Sequence, residues 1–327
     1  MPTASQPPNA PSTEDVYMAG SWEESSPRER HPLPRWRLPL MLFLATCIST
    51  FFAGATRSIP AVWNGNGFKL ASFDDLELRW AILSQWRDGV TYMVCVLAIL
   101  LAHEFGHFIA TRWYRIRATW PLFLPMPFSP FGTLGAVIMM DHRQADRRQI
   151  FDIGLAGPLA GLVVAIPLMA WGIHDLKLDA APAGLTIDLP LLSRWFLTLL
   201  QPNFRMETGL TINQASPMFL AAWVGFVVTG LNMLPVSQLD GGHVTYALFG
   251  RRSEYIGWTF MTVAILIIAQ WFSLYFMWSV MTVLVLLMGV AHPPTANDDV
   301  PLGPGRTLLG LISLLIPVLT FAPQMLY

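Results

Sequence analysis

Charge is scarce in this 327-residue sequence: 13% of its residues are charged and 54% hydrophobic, about half the ~25% charged share of an ordinary soluble domain. That scarcity argues against a soluble fold. A surplus of positive charge is missing as well. With 20 Lys and Arg against 21 Asp and Glu the formal charge is −1, so nucleic acid is excluded from the expected partners. Cysteine is nearly absent, and the two that occur, Cys47 and Cys95, lie inside apolar runs. A disulfide framework and any CxxC metal site are therefore excluded. What remains is a polytopic membrane protein, a class shared by transporters, scaffolds and enzymes.

Residues 1–36 are rich in Pro, Ser and Glu and poor in large apolar side chains, so they are expected to form a disordered tail. Neither a secretory signal nor an acid-poor transit peptide fits them. Residues 37–327 are expected to form a membrane domain, with a catalytic core at about 88–245 and C-terminal helices at about 254–323. A bilayer core needs roughly 17–25 mostly apolar residues per helix. Seven stretches meet or approach that length: 38–56, 88–112, 149–173, 216–236, 254–270, 273–291 and 305–323. An inside N-terminus puts thirteen Lys and Arg on the inner side and seven on the outer, as the positive-inside rule requires. Between the second and third stretches, residues 119–140 (TWPLFLPMPFSPFGTLGAVIMM) are nearly uncharged yet carry four prolines and two glycines. No continuous helix can form there. The expected fold is thus an all-α polytopic membrane protein of about seven transmembrane helices, with a short re-entrant β-type element between the second and third. The outer loop at about 174–215 is below the ~50-residue floor for an independent domain.

Chemistry concentrates near the inner end of the second stretch, where LAHEFGHFIA places His103, Glu104 and His107 in the order H-E-x-x-H. Helical positions i and i+4 share a face, so both imidazoles can reach one metal ion while Glu104 polarises a water beside it. Ionisable residues inside a span are expensive and rarely placed there without function. A catalytic zinc site takes three protein ligands and leaves the fourth position for water. The third is expected from the inner end of the fourth stretch, which holds Asn232, Pro235, Asp240 and His243. Asp240 also fits an ordinary D-G-G turn, but an HExxH at matching depth favours it as a ligand. His243 competes for the same role, and spacing alone does not choose between them. Gly154, Gly157 and Gly161 place small residues on one face of the third stretch, as helix packing requires. Asp152 reads either as a helix-start residue or as a hydrogen-bond partner for an imidazole. His292, in AHPPTANDD, reads as an exposed loop histidine.

The pairing of HEFGH with N-x-x-P-x-x-x-L-D-G-G (Asn232 to Gly242) resembles the site-2 protease family of intramembrane zinc metalloproteases. FGTLGAVI (131–138) and FDIGLAGPLAGL (151–162) are also similar to segments of that family. The resemblance implies one zinc per chain on His103, His107 and Asp240, with Glu104 as catalytic base and Asn232 lining the site. It also implies a β-edge, around Gly132, Thr133 and Gly135, that receives an unwound transmembrane substrate. The form resembled lacks PDZ and nucleotide-sensing domains. The rival readings are a catalytically inactive client-binding relative, against which the intact HExxH and Asp240 argue, and a metal-ion transporter, which has no special need of Glu104 beside the histidines. The expected place is a bacterial cytoplasmic (inner) membrane, with the N-terminus and the site towards the cytoplasm.

Overall fold

Apart from Trp36, the predicted tail lies outside the described residues. The computed structural model describes residues 36–56, 61–64, 67–70, 75–127, 129, 131–140, 144–182, 185–204, 209–236, 238–272 and 275–322. The chain opens with helix α1 (Arg37–Thr56), a small antiparallel pair β1 (Ala61–Asn64) and β2 (Gly67–Leu70), and helix α2 (Asp75–Trp113), which is broken at Gln85. Strands β3 (Leu122–Met126) and β4 (Gly132–Val137) follow, then α3 (Arg147–His174). The outer segment carries β5 (Thr186–Ile187), α4 (Leu191–Leu200) and β6 (Leu210–Thr211). Beyond it come α5 (Pro217–Asn232), α6 (Asp240–Phe249), α7 (Ser253–Gln270), α8 (Phe276–Met288), α9 (Pro304–Ser313) and α10 (Ile316–Thr320).

Among the described residues, four runs are long and apolar enough to cross a membrane: Arg37–Thr56, Leu83–Trp113, Arg147–His174 and Asp240–Gln270. Each of the seven expected stretches contains helix, and four of the seven are found as full-length spans; the helices in the other three are shorter. α5 has 16 residues and α8 has 13, and the last stretch is divided into α9 and α10, with Pro317 in the first turn of the second piece. Pro235 accounts for the end of α5, because the residue before a proline is pushed out of helical conformation.

α3 is the centre of the molecule and packs against both α2 and α5. It begins with a capping box in which the Asp146 carboxylate accepts from Gln149 N while the Gln149 side chain accepts from Asp146 N. Two backbone donors are satisfied before the helix enters apolar surroundings. Its interior Pro158 and Pro167 are tolerated because neighbouring helices cover the freed backbone. The main core joins Val96, Ile99 and Leu100 of α2, Ala165, Met169 and Ile173 of α3, and Phe219, Trp223 and Phe226 of α5. Ile187, Leu197 and Leu210 of the outer segment belong to the same core, so that segment is no separate module.

The Pro- and Gly-rich stretch is an antiparallel hairpin, β3 with β4. The β character predicted for GTLGAVIMM extends back into the proline-rich half. Pro125 sits within β3, where the register shifts between Phe123 and Pro125. A proline cannot donate to the ladder and is accommodated at such an irregularity. The hairpin is pinned to α1: the Ser49 hydroxyl donates to the Gly132 carbonyl at 2.6 Å. Gly132 has φ +74°, and a side chain there would meet the Ser49 carbonyl, so only glycine serves.

Candidate metal centre

HExxH lies two turns from the end of α2, and Asp240 opens α6. His103 Nε2 is 3.1 Å from Asp240 Oδ2, His107 Nε2 is 3.3 Å from Asp240 Oδ1, and the two Nε2 atoms are 3.2 Å apart. Around a zinc ion with bonds of 2.0–2.2 Å, the edge of the ligand tetrahedron is about 3.3–3.5 Å. Three donors of the right kind therefore already stand at close to coordination spacing. Among the described residues this trio forms the one group of three or more His, Cys, Asp or Glu able to hold a metal, and His243 is outside it.

The orientation of the ligands is set from behind. His107 Nδ1 donates to the Ile153 carbonyl at 2.7 Å. A carbonyl can only accept, so the proton is on Nδ1 and the Nε2 lone pair faces the metal position. α3 also approaches His107 closely at Gly157, where an added Cβ would fall on the imidazole Nε2. Gly161 faces His103 in the same way, with 3.3 Å available. The glycine stripe does serve helix packing, and the surface it packs on includes the two histidines. Asn232 ends α5, and its Nδ2 lies 3.2 Å from His103 Nε2.

Glu104 is 3% exposed and lines the same cavity of about 330 Å³ as His103, His107, Asn232 and Asp240. A buried carboxylate next to a three-ligand centre is placed to take a proton from water. The profile of peptidase family M50 matches residues 91–270, more than half of the chain and the whole of this centre. The chain belongs to peptidase family M50, the site-2 protease family. It is 30% identical over 313 residues to the probable zinc metalloprotease EGY1, chloroplastic, of Oryza sativa subsp. japonica, covering 90% of this chain and 52% of that protein. To the probable zinc metalloprotease EGY2, chloroplastic, of Arabidopsis thaliana it is 25% identical over 301 residues, covering 90% of this chain and 50% of that one. The chain thus spans about half the length of these M50 relatives. Their names place those proteins in chloroplasts, which gives no support to the expected bacterial membrane.

The hairpin reaches the M50 centre further along than its glycines suggest. Ala136, Val137, Ile138, Met139 and Met140 line the cavity. Gly132, Thr133 and Gly135 are not among its lining residues. Thr133 is buried, with its hydroxyl on the Leu124 carbonyl at 3.0 Å, and Gly135 takes φ +101°. All three are residues of β4, and Gly132 and Thr133 pair with β3.

Two other expectations are corrected. Asp152 neither starts a helix nor touches an imidazole. It accepts from Arg306 Nε and Nη2, each at 2.8 Å, and from the Tyr114 hydroxyl, tying α9 to α3. His292 is a half-buried residue rather than an exposed one: its Nε2 is 2.7 Å from His243 Nδ1, and its ring stacks on Tyr246 at 4.3 Å. Nothing in the sequence near AHPP announces that contact, because both partners lie more than 40 residues away. Likewise the Ile153 carbonyl leaves no sequence signal, since every residue has one.

Proposed function

We propose that this chain is an intramembrane zinc metalloendopeptidase, binding one zinc and hydrolysing peptide bonds within or near transmembrane segments of membrane proteins. The observation that carries this reading is the trio His103, His107 and Asp240 at 3.1–3.3 Å with buried Glu104 beside it. Zinc held there would supply a Lewis acid for the scissile carbonyl and lower the pKa of water from 15.7 towards about 7. Glu104 takes the proton from the attacking water and delivers it to the leaving amine, breaking the C–N bond. Asn232 stands where it can hydrogen-bond the reacting groups. A metal-ion transporter would need the three ligands but not Glu104 beside them.

A substrate helix hides its carbonyls in i to i−4 hydrogen bonds and has to be unwound locally. β4 has one strand partner, β3, and its continuation through Met140 borders the metal position, so an extended segment can add there by β-augmentation. A second cavity of about 400 Å³, lined by α5, α7 and α8, shares Asn232 and Leu239 with the first. Its apolar walls suit the still-helical flank of such a substrate. The active site faces the arginine-rich side of the membrane, and the shorter apolar helices complete the spanning set.

The test is Glu104→Gln in the full chain, assayed for bound zinc and for cleavage of a helical membrane substrate. Zinc is expected to stay at one per chain while cleavage falls at least 100-fold. Cleavage at the wild-type rate would overturn the mechanism.

A further inference from the structure

The chain returns to the centre a third time, after α8. The strap at residues 291–299 is fastened to two helices. Ala296 N donates to the Ala145 carbonyl at 2.8 Å, and Arg147 N donates to the Asn297 carbonyl at 3.3 Å. Arg147 at the start of α3 also donates through Nε to the Ala247 carbonyl at 2.7 Å, which closes the loop onto α6. Within the strap, Asp298 accepts from Thr295 Oγ1 at 2.6 Å and from the Tyr246 hydroxyl of α6 at 2.8 Å. His292 lies flat on the Tyr246 ring and meets His243 Nδ1 at 2.7 Å.

The N-terminal end of α6 carries no side-chain cap and is placed by packing. Leu239 at the N-cap supplies no side-chain hydrogen bond, and Asp240 is the first residue of the helix. His243 is one turn further on, buried, and lines the cavity with Glu104 and the metal trio. On the opposite side, Gly154 of α3 lies against His243 Cβ and the Asp240 carbonyl. α6 is therefore held between α3 and the strap, and His292 is the strap residue that touches its cavity-facing side chain.

From this geometry we infer that His292 is a positioning residue for the metal centre, acting through His243 to fix α6 and so the place of the Asp240 carboxylate. The inference rests on the proposed metal centre. It assigns to the 291–299 strap a role in metal affinity, although none of its residues belongs to the ligand trio. The hydrogen bond is the operative contact, because it reaches the side chain of α6 that lines the cavity, whereas the stacking is on Tyr246, which does not line it.

The experiment measures zinc affinity of the full chain by competition with a chromophoric chelator, together with kcat and KM for a helical membrane substrate. His292→Ala is expected to weaken zinc binding roughly tenfold, the lower end of what loss of a ligand's supporting hydrogen bond costs, and to lower kcat with KM unchanged. His292→Gln, whose amide reaches the position of Nε2, is expected to restore most of both. The double variant His243→Ala/His292→Ala is expected to match His243→Ala alone, because one contact cannot be lost twice. If His292→Ala fails to fold, His292→Phe keeps a ring on Tyr246 but removes the bond to His243, and should weaken zinc binding to a similar extent. Wild-type zinc affinity and kcat in His292→Ala, or losses that add to those of His243→Ala, would overturn the inference. A wild-type chain that binds no zinc would instead overturn the metal centre itself.

Discussion

The two walls of the cavity at the candidate metal centre are built on opposite principles. One is made of α2, α3 and α6 and is fastened at every level. His107 is held by the Ile153 carbonyl, α6 is held by Arg147 through the Ala247 and Leu248 carbonyls, and α9 is held to α3 by the Asp152–Arg306 pair. The other is the β3–β4 hairpin and its extension, a two-stranded sheet with Leu134, Val137 and Met139 exposed. β3 and residues 118–119 pair with one edge of β4 and its extension, and the opposite edge of such a strand is a template for another chain. The contrast follows from what each wall has to do. Metal ligands lose affinity with small displacements, whereas a substrate backbone needs hydrogen-bonding groups that are not yet used.

The comparison breaks most readily at Gly157. Gly157→Ala places a methyl on the His107 imidazole, which cannot swing aside without losing the Ile153 hydrogen bond. Zinc affinity is expected to fall 10- to 100-fold, while Gly161→Ala, with 3.3 Å to spare, changes it only a few-fold. Alanine improves helix propensity by up to about 1 kcal/mol over glycine, so a loss of zinc without a loss of thermal stability separates the effect from unfolding. Equal zinc affinities for the two variants would show that the fixed wall is not fixed at His107.

The open wall is tested by Ile138→Pro, which removes one backbone donor between the β3–β4 ladder and the Ala118–Met140 bridge and leaves the ligands in place. Cleavage of a helical membrane substrate is expected to fall about tenfold, as one or two backbone hydrogen bonds to a partner strand are lost, with zinc content unchanged. Unchanged cleavage would remove the hairpin from substrate binding.

The smallest effect concerns the strap. Burial pushes the Asp298 carboxyl up, but hydrogen bonds from Thr295 and Tyr246 and the nearby Arg147 charge outweigh it and hold the group below its usual range. A carboxyl lowered in the folded state adds stability above its unfolded pKa of about 3.9, and that stability is lost as pH falls through the lower folded value. Asp298→Asn is therefore expected to reduce thermal stability slightly at neutral pH and to flatten its decline in acid. A decline as steep as in the wild type would assign the acid sensitivity to other carboxyls.

Much of the centre was legible in the sequence because its residues are rare where they stand. In a chain with 13% charged residues, an HExxH inside an apolar helix and an acid at the end of another stand out, and the 3.6-residue period puts His103 and His107 on one face without further information. The hairpin was legible from its prolines and glycines, which bar a helix. Its cavity-facing residues were not, because Met139 and Met140 carry no mark distinguishing them from lipid-facing methionines. The short helices were not legible for a related reason: apolar length alone does not show that α5 stops before Pro235 or that the last stretch divides.

By itself, then, the sequence determined that this chain enters a bilayer, that His103, Glu104 and His107 share one helix face, and that a metal was the expected partner. Only the tertiary structure places Asp240 rather than His243 beside His103 and His107, because that depends on the rotation of α6 about its axis. It also decided the places of Ile153, Gly157 and His292. Their parts are played by a backbone carbonyl, a missing side chain and a contact across 49 residues, and local pattern records none of these.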